Sequence, residues 1–209
     1  DSLESLTITA TAANATVGAV GGTGTAEALS TVTISATGAT ADVDDITADT
    51  TNSTTDNAMT VTLTATTGST ITTGDLNNQF GSITLTASGE GTFNIGGTDG
   101  SEMLTFGQAS TFDLTGSSGT TELYIQGGTA LATVTLAVQD SSDTIGVADD
   151  GSVAITNFQA GASGDTIAID VSATGTGSKI TDAGADNDIA AGDTVVLTEL
   201  SAATNLSAA

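Results

Sequence analysis

Leu29–Val43 reads LSTVTISATGATADV, and Leu3–Gly18, LESLTITATAANATVG, is a near copy of it. Each has a leading Leu, a Thr-Ile-Ser or Thr-Ile-Thr centre and a second short segment ending in Val. Apolar residues alternate with Thr or Ser at period two, as in a strand with one buried face. The same pattern returns in Met59–Thr67 (MTVTLTATT), Ser82–Ala87 (SITLTA), Glu122–Gln126 (ELYIQ) and Leu131–Val138 (LATVTLAV). Blocks around Ile83, Met103 and Leu123 recur at intervals of roughly 20 residues, the length of a solenoid coil with tight turns. The expected fold class is therefore all-β, with a β-solenoid (parallel β-helix or β-roll) favoured. A β-sandwich is the alternative; it explains the alternation but not the near copy of the first two blocks.

The rest of the composition agrees with strands. Thr, Val and Ile suit a pleated, half-buried surface, and Gly, Asn and Asp suit the turns between them. Apolar residues recur in regular blocks, which argues against a disordered chain. Two composition shifts divide the sequence provisionally. Residues 1–56 form an N-terminal repeat unit ending in the acidic stretch Asp42–Asn57, 57–139 a central solenoid-like region, and 140–209 an Asp-rich C-terminal β region.

Charge narrows the function further. Lys179 is the single basic side chain among 209 residues, against 25 acidic ones, for a formal net charge of −24. Such a surface cannot neutralise phosphates, so nucleic acid and anionic lipid headgroups are excluded as partners. Self-repulsion on this scale calls for screening by salt or bound cations. Cysteine is absent, which removes disulfides, thiolate metal sites and thiol nucleophiles. No apolar run approaches the roughly 20 residues of a transmembrane helix. The chain opens Asp-Ser-Leu-Glu without a leader-like pattern, as expected of a processed chain or a piece of a longer one.

Catalysis is poorly supplied. With no His, Arg or Cys, the common general bases, oxyanion clamps and triads are missing. Paired carboxylates can hydrolyse glycosides, but surface acids or calcium ligands are the simpler reading. The expectation is a protein that is not an enzyme.

Calcium takes hard oxygen ligands from carboxylates and from carbonyls in Gly turns. Gly96–Leu104 (GGTDGSEML) reads as a degenerate Gly-Gly-x-Gly-x-Asp-x-apolar-x repeat, with an inserted Asp99 and with Glu102 where Asp is usual. The shorter core, small-x-acid-x-apolar, appears in Gly119–Leu123 (GTTEL), Ser141–Ile145 (SSDTI), Gly161–Ile167 (GASGDTI) and Ala191–Val195 (AGDTV). Asp182, Asp186, Asp188 and Asp193 take first, fifth, seventh and twelfth places of an EF-hand-like loop, though Gly184 replaces a ligand and no terminal Glu is present. A non-EF calcium turn or an exposed acidic loop are the readings of that stretch. Sequons stand at Asn14, Asn52 and Asn205, and Asn52 has the most suitable context.

Ser152–Val171, SVAITNFQAGASGDTIAIDV, resembles the end of coils in RTX-type surface proteins. The Thr/Ala/Gly-rich blocks before it, ALSTVTISATGATADV above all, are similar to the β-solenoid of calcium-dependent bacterial S-layer proteins and large adhesins. That resemblance implies secretion, folding outside the cell in calcium, and assembly into a lattice or fibre. It implies calcium ligation by Asp99, Glu102, Asp143 and Asp165, with Gly96, Gly97, Gly100, Gly161 and Gly164 as turn glycines. No tandem array of full repeats is present, and Glu replaces Asp in two matches.

The resulting expectation is an extracellular, cell-surface structural protein whose partner is itself, with Ca²⁺ as structural ligand. The alternative is a carbohydrate- or surface-binding module of a large secreted adhesin, with surface polysaccharide as partner. Tyr124, five Phe and no Trp leave that alternative short of aromatic platforms.

Overall fold

The computed structural model describes residues 3–21, 29–48, 58–79, 81–96, 104–126, 131–136, 143–148, 152–156, 166–170, 179–182 and 194–198. It is all-β, built of parallel strands in stacked coils, which is the β-solenoid anticipated above.

One sheet carries β1 (Ser5–Thr11), β3 (Thr31–Thr37), β6 (Met59–Ala65), β9 (Ile83–Gly89), β12 (Ser110–Ser117), β14 (Leu131–Thr135), β16 (Ser152–Thr156) and β18 (Lys179–Asp182), in that order. The second sheet runs through β2 (Ala15–Val17), β4 (Thr40–Val43), β7 (Thr70–Thr73), β10 (Thr92–Ile95), β13 (Thr121–Gln126), β15 (Thr144–Ala148), β17 (Thr166–Asp170) and β19 (Thr194–Thr198). The strands of these two series alternate along the chain, so each rung contributes one strand to each series. The two near-copy sequences become neighbouring rungs: Ser5 pairs with Thr31, Leu6 with Val32 and Ile8 with Ile34. Pairing continues across both provisional boundaries, β3 with β6 and β13 with β15.

Early rungs have a third side. The short strands β5 (Ile46–Thr47), β8 (Leu76–Asn78) and β11 (Leu104–Phe106) follow a corner after β4, β7 and β10. At β13 this corner disappears, because one strand pairs with β10 at Leu123↔Ile95 and with β11 at Ile125↔Leu104. Rung length varies along the coil: Thr9 and Ser35 stand 26 residues apart, Ile83 and Ser110 27, and Thr121 and Asp143 22.

In-register stacking turns the period-two pattern into columns. Val32, Val61, Leu85, Phe112, Val134 and Ile155 form one buried column from the first sheet. Ile46, Leu76, Leu104, Ile125 and Val147 form another on the opposite wall. Fully burying each such side chain is worth about 1.5–3 kcal/mol. Phe106 and Phe112 meet inside the coil with ring centroids 5.8 Å apart and planes tilted by 51°. The turns between sheets need a left-handed residue. Gly38 supplies it with φ 61°, and Ala12, at the same place one rung earlier, is held at φ 57° despite its Cβ.

Candidate functional site

Of the residues expected to bind calcium, Asp143 and Asp182 lie among those described. Asp99, Glu102, Asp165, Asp186, Asp188 and Asp193 lie outside them, as do Gly97, Gly100, Gly161 and Gly164. Asp182 is the last residue of β18, opposite Ile155, so the EF-hand-like stretch begins inside a strand.

Asp143 is buried just before β15, and its role is visible. Its Oδ1 accepts a hydrogen bond from the Thr121 N–H of the preceding rung at 2.8 Å. Its backbone oxygen accepts from Thr166 N of the following rung, also at 2.8 Å. One residue thus ties three rungs. Thr121 is fully buried, so its amide depends on such an acceptor. Asp45 repeats the device at the corner before β5, where its Oδ1 accepts from Asp75 N at 3.0 Å. Among the described residues, no group of three or more acidic, His or Cys side chains is placed to hold a metal ion. The donor sets described here therefore do not fit a calcium site by themselves.

A shallow groove of about 250 Å³ lies along the second sheet's early rungs, lined by Thr16, Val17, Gly18, Asp42, Val43, Asp44, Thr72 and Gly74. Its two carboxylates sit in an open, solvated setting without a nucleophile or cationic partner. Chemically it offers oxygen ligands and hydrogen-bond acceptors, and no acid–base pair.

Two broader features are more regular. The outer face of the first sheet is a threonine array. One ladder runs Thr31, Thr60, Thr84, Thr111, Thr133, and beside it runs Thr7, Thr33, Thr62, Thr86, Asp113, Thr135. Hydroxyls of adjoining rungs also meet at the next position, Ser35 with Thr9 and Thr64 with Ser88, both at 3.3 Å. The second feature is the first described rung. There Leu3 is 44% exposed, and Leu6, Ala15 and Val17 are only partly buried against the core.

Among the described residues, aromatic side chains offer little surface. Phe93, Phe106 and Phe112 are buried. Tyr124 is half-buried with its ring laid over Gly146, where a Cβ would stand 2.2 Å from Tyr124 Cδ1. The sequence reading missed the roles of Asp45 and Tyr124. Only the threonine repetition was visible in it, and there as a strand signal alone.

Comparison with known protein families, curated proteins and solved structures finds no match to the chain.

Proposed function

We propose that the chain is a non-catalytic structural solenoid of a cell surface that assembles end to end with copies of itself, calcium offsetting its charge. The observation that supports this reading is the outer edge of β1, which pairs with no other strand among the described residues. In β1, Glu4 O accepts from Thr31 N and Ala12 N donates to Thr37 O. Alternation by two then directs the even-numbered backbone groups to β3. Those of Ser5, Thr7, Thr9 and Thr11 face away from it, along an edge that no strand among the described residues pairs. Such an edge recruits another strand unless blunted, and the chain has no Pro and a single Lys to blunt it. A further rung would also cover Leu3, Leu6 and Val17, whose exposure contrasts with the fully buried Val32 and Val61 behind them. The net charge of −24 supports a need for cations before two such ends approach.

Sedimentation and electron microscopy at millimolar calcium, with a chelator-treated control, test the reading. The parent should form filaments or larger arrays in calcium and disperse in chelator. Thr9→Pro should block assembly while keeping the β-sheet spectrum, since its amide faces the free edge. A strictly monomeric particle across wide ranges of calcium and salt would overturn the proposal.

A further inference from the structure

We propose that the threonine face of the first sheet is a binding surface for crystalline water, that is, for ice. The inference is independent of end-to-end assembly, because it uses the flank of the solenoid and not its end.

The first support is geometry. Parallel strands lie about 4.7–4.9 Å apart, and alternate residues along a strand are separated by about 6.6 Å. Pairing from β1 through β9 is in register without interruption, and the irregularity in β12 falls after Asp113, beyond the two ladders. The two ladders therefore form a rectangular lattice over roughly 19 Å of solenoid, the second ladder reaching roughly 24 Å. Hexagonal ice presents oxygen rows at spacings close to both repeats. Each threonine offers one hydroxyl and one methyl, and its β-branch restricts χ1, so the groups are ordered before binding. Contacts of modest individual worth then act together, because neither lattice has to rearrange.

Charge complementarity selects the occupant. The chain carries 25 acids, yet among the described residues the six strands β1 to β14 of this face place one carboxylate on it. That one, Asp113, is turned back along its own strand to accept from Thr115 N at 3.0 Å and Thr115 Oγ1 at 2.6 Å. Asp42 and Glu122 lie on the second sheet instead. A neutral face on a strongly anionic molecule suits a neutral partner. Sugar lattices are ordinarily met by aromatic side chains, and the outward positions of the two ladders hold none. An uncharged lattice of hydroxyl-bonding groups is what remains, and ice is the simplest.

The test is partition of the full chain into a slowly grown ice hemisphere, together with microscopy of ice crystals held just below melting. The parent should be enriched in the ice fraction and should shape or arrest the crystals. Thr62→Lys, and separately Thr86→Lys, place a charged side chain within the array and should reduce enrichment to that of an inert protein while leaving the β-sheet spectrum unchanged. Thr72→Lys on the second sheet should retain full enrichment. Exclusion of the parent from ice would overturn the proposal. So would retained enrichment in both array variants, or equal loss in Thr72→Lys. Adsorption to crystalline cellulose or chitin without ice partition would replace ice by a polysaccharide. A parent dimer that Thr62→Lys dissociates, again without ice partition, would show that a second copy covers the face.

Discussion

Replacing Asp143 separates two roles that an aspartate in a Gly- and Ser-rich turn can play. In the structure its carboxylate receives Thr121 N at 2.8 Å inside a buried junction between rungs. Asp143→Ala leaves that amide buried without its acceptor. An unsatisfied buried group costs about 1–3 kcal/mol, and hydrogen bonds to charged groups lie toward the upper end. A loss of about 2–3 kcal/mol is expected, or roughly 4–12 °C in melting temperature for a chain of this size. Asp143→Asn keeps an oxygen at the same place and should recover most of the loss. Amide exchange gives the local readout: Thr121 should exchange much faster in the alanine variant and remain protected in the asparagine variant. Calcium ligation predicts a different pattern, since asparagine would then lose the calcium-dependent part of stability. The rung-tie reasoning fails if the alanine variant melts within about 0.5 kcal/mol of the parent, or if Asn is as damaging as Ala.

Two further substitutions probe how closely the rungs stack. A Cβ at Gly119 would stand 1.9 Å from the backbone oxygen of Gly91, between the contacts Ser118 N to Gly89 O and Phe93 N to Thr120 O, both 2.9 Å. Gly119→Ala must part the rungs there, and calorimetry should show a loss of about 2–4 kcal/mol, in the range of severe steric changes. At Gly146 the obstacle is instead the Tyr124 ring. Gly146→Ala should therefore destabilise, Tyr124→Ala should relieve that clash, and the double-mutant cycle should give a coupling of about 1 kcal/mol.

The architecture was legible because repetition and alternation express one geometry twice. Alternation of Thr with Val, Ile or Leu identified which side of each strand is buried. The near copy of Leu3–Gly18 in Leu29–Val43 corresponds to the register itself, since aligning the two strings reproduces the pairs Leu6–Val32 and Ile8–Ile34. The third side of the early rungs was hidden. Strands of two or three residues, such as Ile46–Thr47, are too short to show a period. The acids were hardest to read. A small-x-acid-x-apolar turn has the same sequence whether its carboxylate meets a cation or an amide from another rung, and Asp143 meets an amide 22 residues earlier in the chain.

In-register stacking has an electrostatic consequence that the order of residues in the ladders accommodates. Two carboxylates stacked about 4.8 Å apart would repel by roughly 0.9 kcal/mol even at the dielectric constant of water. That separation is also well inside the screening length of about 8 Å at physiological salt. On the second sheet the outward ladder reads Thr16, Asp42, Thr72, Asn94, Glu122, Thr144, with neutral residues on both sides of each acid. On the first sheet Asp113 lies between Thr86 and Thr135. Asp45 and Asp75 do occupy equivalent places on successive rungs, and there the backbone N–H of one is donated to the carboxylate of the other. Within these ladders, neutral Thr and Asn spacers keep the acids from stacking directly on one another. The charge left over is therefore a long-range property of the whole surface, and it acts most strongly on the approach of a second identical chain.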